Sequence, residues 1–392
     1  MRKKSLVSHC ALSISILALG MFSWLPIHSA AQTKAPLPSR NEPKEGSAQA
    51  PAPSKEDFTS LTLASGSLRM EAPILYSKDE TPGAGFAREL FNVTWRSTDP
   101  FDLYVIRPPG TAKVPVVIYL YSYAEDTEKF KNSAWCQKAV EGGYAAVGLV
   151  AAVTGHRTRY RLPKDWFVSE MQESLGATVH DVQRVLDYLA TRKDLDMNRV
   201  GMFGTGSGGS IAILSSAADA RIRVLDLLGP WGDWPRWVAG TKVLSDGERA
   251  TYAKRDFLDK VAPLEPVTWL PKIKARALRI QDVRNNKAMP DDAQEKLEAA
   301  APDFAEINQF GNGAAFLASD SPGNLFEWMK GQLKTEEKSL TVSAKSQRIH
   351  FFPAVDAAPS WLKAGVPDSQ KPPAEAKSKE AKEKEKPDQN HN

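Results

Sequence analysis

The stretch Val200-Gly201-Met202-Phe203-Gly204-Thr205-Gly206-Ser207-Gly208-Gly209 constrains the fold more than any other. It reads as a short apolar strand, a glycine-dense turn and the start of a helix running through Ile211 to Ala218. A chain that reverses from strand to helix so tightly strains any side chain at the turn, and glycine relieves that strain. The approach has its own order. Asp181, Val182, Val185, Leu186, Tyr188 and Leu189 recur at helical spacing, and Asp194-Leu195-Asp196-Met197-Asn198-Arg199 connects that helix to the strand.

The rest of the chain alternates in the same way. Leu61–Met70, Glu89–Arg96 and Phe101–Arg107 alternate apolar and polar residues, as antiparallel strands at a sheet edge do. Pro108-Pro109-Gly110 breaks the chain, and Val114–Tyr121 is then apolar throughout, as a strand buried on both faces should be. Further strands are expected at Tyr144–Val150, Val224–Leu228, Ala277–Gln281 and Ala305–Phe310. Helices are expected at Glu128–Glu141, Ser169–Ala190, Asp246–Lys260, Asp291–Ala300 and Asn324–Leu333. Repeated βα units imply an α/β fold: a mostly parallel central sheet with helices on both faces and an antiparallel N-terminal edge. There is no internal repeat.

A strand–turn–helix of this kind is where a nucleophile elbow of pattern Gly-x-Ser-x-Gly sits. The order Asp-Val-x-Arg-Val-Leu-Asp-Tyr-Leu, then Asp-x-x-Arg-Val-Gly-Met-x-Gly-x-x-x-Gly-Gly, resembles the α/β-hydrolase superfamily. The likeness is to its dienelactone-hydrolase, acetyl-xylan-esterase and prolyl-oligopeptidase-like members, over roughly residues 85–335. The resemblance implies a nucleophile, an acid and a histidine, in that order, each on a loop after a strand.

Each of those slots holds the wrong residue here. In the frame Gly204-x-nucleophile-x-Gly208 the nucleophile slot falls on Gly206, with Ser207 one residue late. The acid loop, Ile280-Gln281-Asp282-Val283-Arg284-Asn285-Asn286-Lys287-Ala288-Met289-Pro290, puts Asn285 in the acid slot. The loop Phe310-Gly311-Asn312-Gly313-Ala314-Ala315-Phe316 puts Ala314, or Ala315, where the imidazole should be. Where the family usually shows His-Gly at the oxyanion loop, Tyr121-Ser122 stands. Three lost slots in the right order point to a noncatalytic scaffold. The rival is a displaced set, with Ser207 as nucleophile, His350, His156 or His180 as base and Asp282 or Asp233 as acid. One step along an elbow, however, swings a side chain by about 100° around the helix, so Ser207 reads more simply as a residue capping the helix amides.

Other readings attach to the same stretch. Gly204-Thr205-Gly206-Ser207-Gly208-Gly209 satisfies Gly-x-Gly-x-x-Gly, with Asp226 placed to meet a ribose. Against a dinucleotide site, several strands precede the motif, and Asp226 sits mid-strand. The free amides of an emptied elbow could instead hold an anion. Trp231-Gly232-Asp233-Trp234-Pro235-Arg236-Trp237 follows the next strand on the same rim. A ligand site there would draw on Tyr121, Ser122, Ser207, Gly208, Trp231, Asp233 and Trp234, the competing reading being a tryptophan cap packed over the sheet. His156, Arg157, Arg159 and Arg161 form a basic loop bordering the family's pocket. No His, Cys and carboxylate set has metal-ligand spacing, and no cofactor is implied. Cys136, beside Trp135 on an apolar helix face, reads as core.

Composition limits the remaining classes. The 392 residues carry a net charge of +4 spread along the chain, with much of the lysine in the tails, which gives no clustered basic face for nucleic acid. Arg2-Lys3-Lys4, the mainly apolar Ala11–Leu25 and Ser29-Ala30-Ala31 form a signal peptide over 1–31. Cys10 precedes the apolar run and is badly placed for lipid attachment. The apolar run is short for a retained span and is interrupted by Ser13, Ser15 and Pro26. Residues 32–57 read as a disordered Pro/Ala/Lys-rich leader, 58–365 as the hydrolase-like domain, and 366–392 as a disordered charged tail. After cleavage Cys136 is the single thiol, so no internal disulfide can form, which suits a bacterial exported protein, periplasmic or extracellular. The sequence therefore implies an exported pseudo-hydrolase that binds a small molecule or a partner protein, the alternative being an active serine esterase or peptidase using Ser207.

Overall fold

The computed structural model describes residues 56–63, 72–80, 83–96, 99–110, 112–122, 127–152, 157, 171–319, 321–334 and 348–355. The chain divides into two units, and all of these residues belong to the one running Ser47–Ala358. The signal segment, most of the leader, the charged tail, residues 64–70 of the first expected strand, His156, Arg159 and Arg161 lie outside the described residues.

Ten strands form one sheet: β1 Ile74–Asp79, β2 Ala87–Val93, β3 Phe101–Arg107, β4 Val114–Leu120, β5 Ala145–Leu149, β6 Leu195–Thr205, β7 Ile222–Leu228, β8 Ala277–Val283, β9 Glu306–Phe310 and β10 Arg348–Phe352. Their spatial order is β1-β2-β3-β5-β4-β6-β7-β8-β9-β10. The pairs β1–β2, β2–β3 and β3–β5 are antiparallel, and every pair from β5 to β10 is parallel. The expected parallel sheet with an antiparallel N-terminal edge is what the chain builds.

The helices are α1 Glu128–Lys131, α2 Ser133–Val140, α3 Met171–Ala190, α4 Ser207–Ala218, α5 Trp234–Gly240, α6 Asp246–Tyr252, α7 Arg255–Val261, α8 Pro266–Trp269, α9 Asp291–Ala299, α10 Gly313–Ala318 and α11 Ser321–Lys334. They cover both faces, and β4 shows why its sequence is apolar throughout. Val116, Ile118 and Leu120 enter one core with α3 and α4, while Val117 and Tyr119 enter a second with α2 and α11. A side chain of that size contributes about 1.5–3 kcal/mol when buried, so alternation would leave half of that on a wet face. Tyr119 and Tyr144 share a hydrogen bond of 2.9 Å inside the second core, which satisfies the only polar atom each brings there.

Several expectations shift. The helix expected over Glu128–Glu141 is two, because Asn132 turns extended and its side chain accepts from Trp135 N at 2.9 Å, capping a new start. The helix over Asp246–Lys260 also divides, with Lys254 extended between α6 and α7. Leu61–Leu63 is not strand, and β1, which apolar–polar alternation does not mark, supplies the edge instead. Glu56, expected in the leader, is fixed to the domain: His180 Nδ1 lies 2.6 Å from Glu56 Oε1, and Arg96 donates to both Glu56 oxygens at 2.6 Å.

Candidate functional site

Gly206 joins β6 to α4 with φ 55° and ψ −123°, a conformation that L side chains rarely adopt. The turn is stitched to its neighbours. Gly206 N donates to Leu228 O at 3.1 Å, and Gly206 O accepts from Trp231 N at 3.2 Å. Gly208 meets the end of β4 so closely that a Cβ there would lie 2.5 Å from Leu120 O. Gly208 is thus demanded by the close approach of β4, and glycine at 206 relieves the strain of this backbone path.

The space above Gly206 is already taken. A Cβ built on Gly206 would lie 2.2 Å from Ser122 Oγ and 3.3 Å from Trp231 Nε1. The hydroxyl at the end of β4 and the indole after β7 therefore close over the turn from two sides. Ser207 and Gly208 are buried beneath them. Tyr121 is buried too, packed against Phe130 and Phe203 with Lys129 Nζ 3.9 Å above its ring.

Asn285 follows β8 with φ 60°, and its Nδ2 donates to Gly311 O at 3.3 Å. That bond ties the loop of the expected acid slot to the loop of the expected histidine slot. Ala314 is half-buried and Ala315 buried at the start of α10, where Asn312 accepts from Ala315 N at 2.8 Å. The chain after β10 packs on this loop: Gly311 N donates to Phe352 O at 2.8 Å, and a Cβ on Gly311 would lie 2.3 Å from Ala354 N. Gly206, Asn285 and Ala314 all follow the carboxyl ends of parallel strands, β6, β8 and β9. The first stands two strand spacings from the second, about 10 Å.

Among the described residues, which leave out His156, the displaced set does not assemble. His350 lies exposed on β10, four strands from the strand that ends beside Ser207, or about 19 Å. His180 is buried and committed to Glu56 and, through Nε2 at 2.8 Å, to Ser60 O. Asp282 is fully buried in β8, with neither oxygen in hydrogen-bond geometry to a described residue. Burial drives its carboxyl well above the usual carboxylate range, and the neighbouring Glu298 carboxylate adds to the rise. Glu298 is itself held by Arg284 at 2.9 Å. Asp233 sits in the left-handed region at φ 53° with its carboxylate on Arg236.

The dinucleotide reading fails on Asp226. It is fully buried mid-strand, where Arg279 grips both oxygens at 2.9 and 2.8 Å and Gln281 Nε2 donates at 3.1 Å. No oxygen is left for a ribose.

The tryptophans are mostly architecture. Trp231 and Trp237 lie 5.0 Å apart, and Trp234 meets Trp237 edge-on at 5.9 Å. Trp234 Nε1 donates to Leu264 O at 3.0 Å and Trp237 Nε1 to Ala288 O at 2.9 Å. All three are buried, so the expected ligand platform is in the main a cap over the sheet, because an indole that finds an acceptor inside is stabler there than in water. Of the expected ligand residues, Asp233 and Trp234 border an open cleft of about 310 Å³. Among the described residues no cluster of three or more His, Cys, Asp or Glu could hold a metal ion, and no helix is long and apolar enough to cross a membrane.

An acetyl xylan esterase from Paenibacillus sp. R4 superposes with a TM-score of 0.53 at 14% identity, over 70% of this chain and 91% of that one. The acetyl xylan esterase 1 of Thermoanaerobacterium sp. JW/SL YS485 does so with a TM-score of 0.50 at 15% identity, over 68% of this chain and 89% of that one. The fold is the α/β-hydrolase fold. No protein-family model matches the sequence, and no curated protein does. Gly206 lies in the strand–turn–helix junction between β6 and α4, where the sequence resemblance places a nucleophile elbow. Sequence reasoning located that turn but missed Ser122 as the group that fills it. The signal was present in Tyr121-Ser122 standing where His-Gly is usual: a side chain added at one loop needs a side chain removed opposite.

Proposed function

We propose that this protein is a noncatalytic α/β-hydrolase-fold protein that binds rather than cleaves, at the rim beside the former elbow. One observation carries the reading: Gly206 has the turn's strained geometry and no side chain, and Ser122 Oγ lies 2.2 Å from where a nucleophile's Cβ would be. Acyl transfer needs a nucleophile, a base within hydrogen-bond reach and a group orienting that base. Gly206, Asn285 and Ala314 supply none of the three, and the described histidines are engaged or distant. The occupant is a small molecule or a partner protein, and the location is outside the cytoplasm, as the residues before Gln32 suggest.

The test is fluorophosphonate labelling of the mature protein, read by intact mass and peptide mapping, with boiled protein and Ser207→Ala as controls. The reading expects no specific adduct. An adduct on Ser207 that vanishes in Ser207→Ala would replace it with an active serine hydrolase. Export is checked separately by N-terminal sequencing of the protein recovered from its native host, with Gln32 expected as the first residue.

A further inference from the structure

The two edges of the sheet, β1 and β10, are built differently. β1 is guarded: Pro73 precedes it, a register shift between Leu75 and Ser77 interrupts its pairing with β2, and Lys78 and Asp79 carry ion pairs to Glu80 and Arg88. Prolines, bulges and charges of this kind keep an edge strand from pairing with another chain. β10, Arg348-Ile349-His350-Phe351-Phe352, pairs with β9 without a register shift, and from Ile349 to Phe352 it has no proline, lysine or carboxylate. Two large apolar side chains stand out on it, Ile349 56% exposed and Phe351 66% exposed.

The backbone fixes which groups this edge offers. Arg348 N donates to Ala305 O at 3.2 Å, and Gly311 N donates to Phe352 O at 2.8 Å. In a parallel ladder every second residue turns both its N–H and its C=O to the neighbouring strand, so Arg348, His350 and Phe352 bond to β9. The N–H and C=O of Ile349 and Phe351 therefore point out of the sheet edge. Side chains alternate between faces, so these same two residues also share a face. It is the face of Ile307, the register partner of Ile349, which is buried in one core with Leu297 of α9. After Pro353 the chain turns inward, where Asn312 Nδ2 donates to Val355 O at 2.8 Å, and it does not run along the edge.

We propose that β10 pairs antiparallel with β10 of a second copy of this chain, about a two-fold axis through His350, joining the two sheets into one. In that register Ile349 lies opposite Phe351 of the other copy, and each such pair exchanges two hydrogen bonds. All four outward backbone groups of each strand are then satisfied. The apolar pairs meet on one face and continue the core past β9. On the other face each Arg348 meets the Phe352 ring of the other copy, a favourable partner for a cation. A second copy is the occupant this strand fits, because its exposed apolar residues stand symmetrically about His350, as a contact between identical surfaces requires. The strand edge and its two side chains come to on the order of 300 Å² per copy, against about 800 Å² per partner in a standard interface. The dimer is therefore weak and fills only at high concentration. It goes beyond the reading above and uses none of the elbow residues.

Sedimentation velocity of the mature protein from about 5 to about 500 μM, a range that brackets a Kd near 100 μM, is expected to show a monomer–dimer equilibrium. His350→Cys tests the register. Opposed residues of a non-hydrogen-bonded pair have Cα atoms about 4.5 Å apart, within disulfide reach, so this variant should cross-link to its own copy under mild oxidation. Ile349→Cys, which lies opposite Phe351, should not, and neither should the parent protein, whose Cys136 is buried. Phe351→Lys, at a position already exposed, should weaken the dimer at least about tenfold and leave the melt of the monomer unchanged. Ile349→Pro, which removes an outward N–H and no bond to β9, should weaken it too. Tyr76→Lys, on the guarded edge, should leave the dimer as it is. A monomer at every concentration, the result expected where a segment of the same chain covers the edge, would overturn the proposal. So would a dimer whose His350→Cys form fails to cross-link, or one that Tyr76→Lys disrupts and Phe351→Lys does not.

Discussion

At the scale of single residues, the turn at Gly206 combines two constraints that a substitution would meet together. A non-glycine residue in that backbone conformation costs about 1–3 kcal/mol, and the new side chain would also collide with Ser122 Oγ. Gly206→Ser is therefore expected to lower the urea midpoint. Adding Ser122→Gly should recover the collision part while leaving the backbone part. Neither variant should hydrolyse 4-nitrophenyl acetate above background, because a hydroxyl alone brings no base. The buried Arg279–Asp226 pair gives a second prediction at this scale. Arg279→Met would leave Asp226 without its cation and should cost about 3–5 kcal/mol in equilibrium unfolding. The absence of a side chain at 206 was legible from the glycine spacing. The filling of its space by Ser122 was not, since the two are 84 positions apart and meet only because β4 and β6 are neighbours.

At the scale of elements, two carboxyls fasten secondary structure with opposite responses to pH. Glu56 ties residues 56–60 to α3. Burial alone would raise its pKa, but the hydrogen bonds and charges of Arg96 and His180 outweigh this and bring it down to about 2. A lowered pKa adds stability above the ordinary value, and that stability is lost as pH falls from 4.5 towards 2. Asp282, between β8 and α9, behaves in the opposite sense. With its pKa raised by burial and by Glu298, the folded state holds the proton more tightly than the unfolded chain. Its stabilisation is complete below the unfolded value, about 3.9, and is lost as pH rises towards the folded one. Melting temperature followed from pH 3 to 8 should show Asp282→Asn more stable than wild type at pH 7, with a shallower decline above pH 4. Glu56→Gln should flatten the acid limb and speed limited proteolysis within residues 56–63. Periodicity located α3 and β8, but it could not say that His180 would be a clasp or that Asp282 would have Glu298 for company, because those contacts join segments far apart in sequence.

At the scale of the whole molecule, one ten-stranded sheet runs through all the described structure, and its compact unit is Ser47–Ala358. A chain trimmed to those residues is expected to unfold in a single transition with a melting temperature within about 2 °C of the full chain. Starting at residue 58 should lower it, since Glu56 would be lost. Apolar runs, alternation and glycine spacing were enough to determine a parallel α/β sheet with an antiparallel edge and a strand–turn–helix at 200–209, because these are local consequences of which face of an element must be dry. They also showed which residue types stand at the turn and its companion loops. Tertiary structure alone decided that Ser122 and Trp231 close over Gly206, that the tryptophans are chiefly core, and that β10 lies four strands from the elbow with His350 exposed. Each of these depends on which strands become neighbours, and a local pattern carries no record of that.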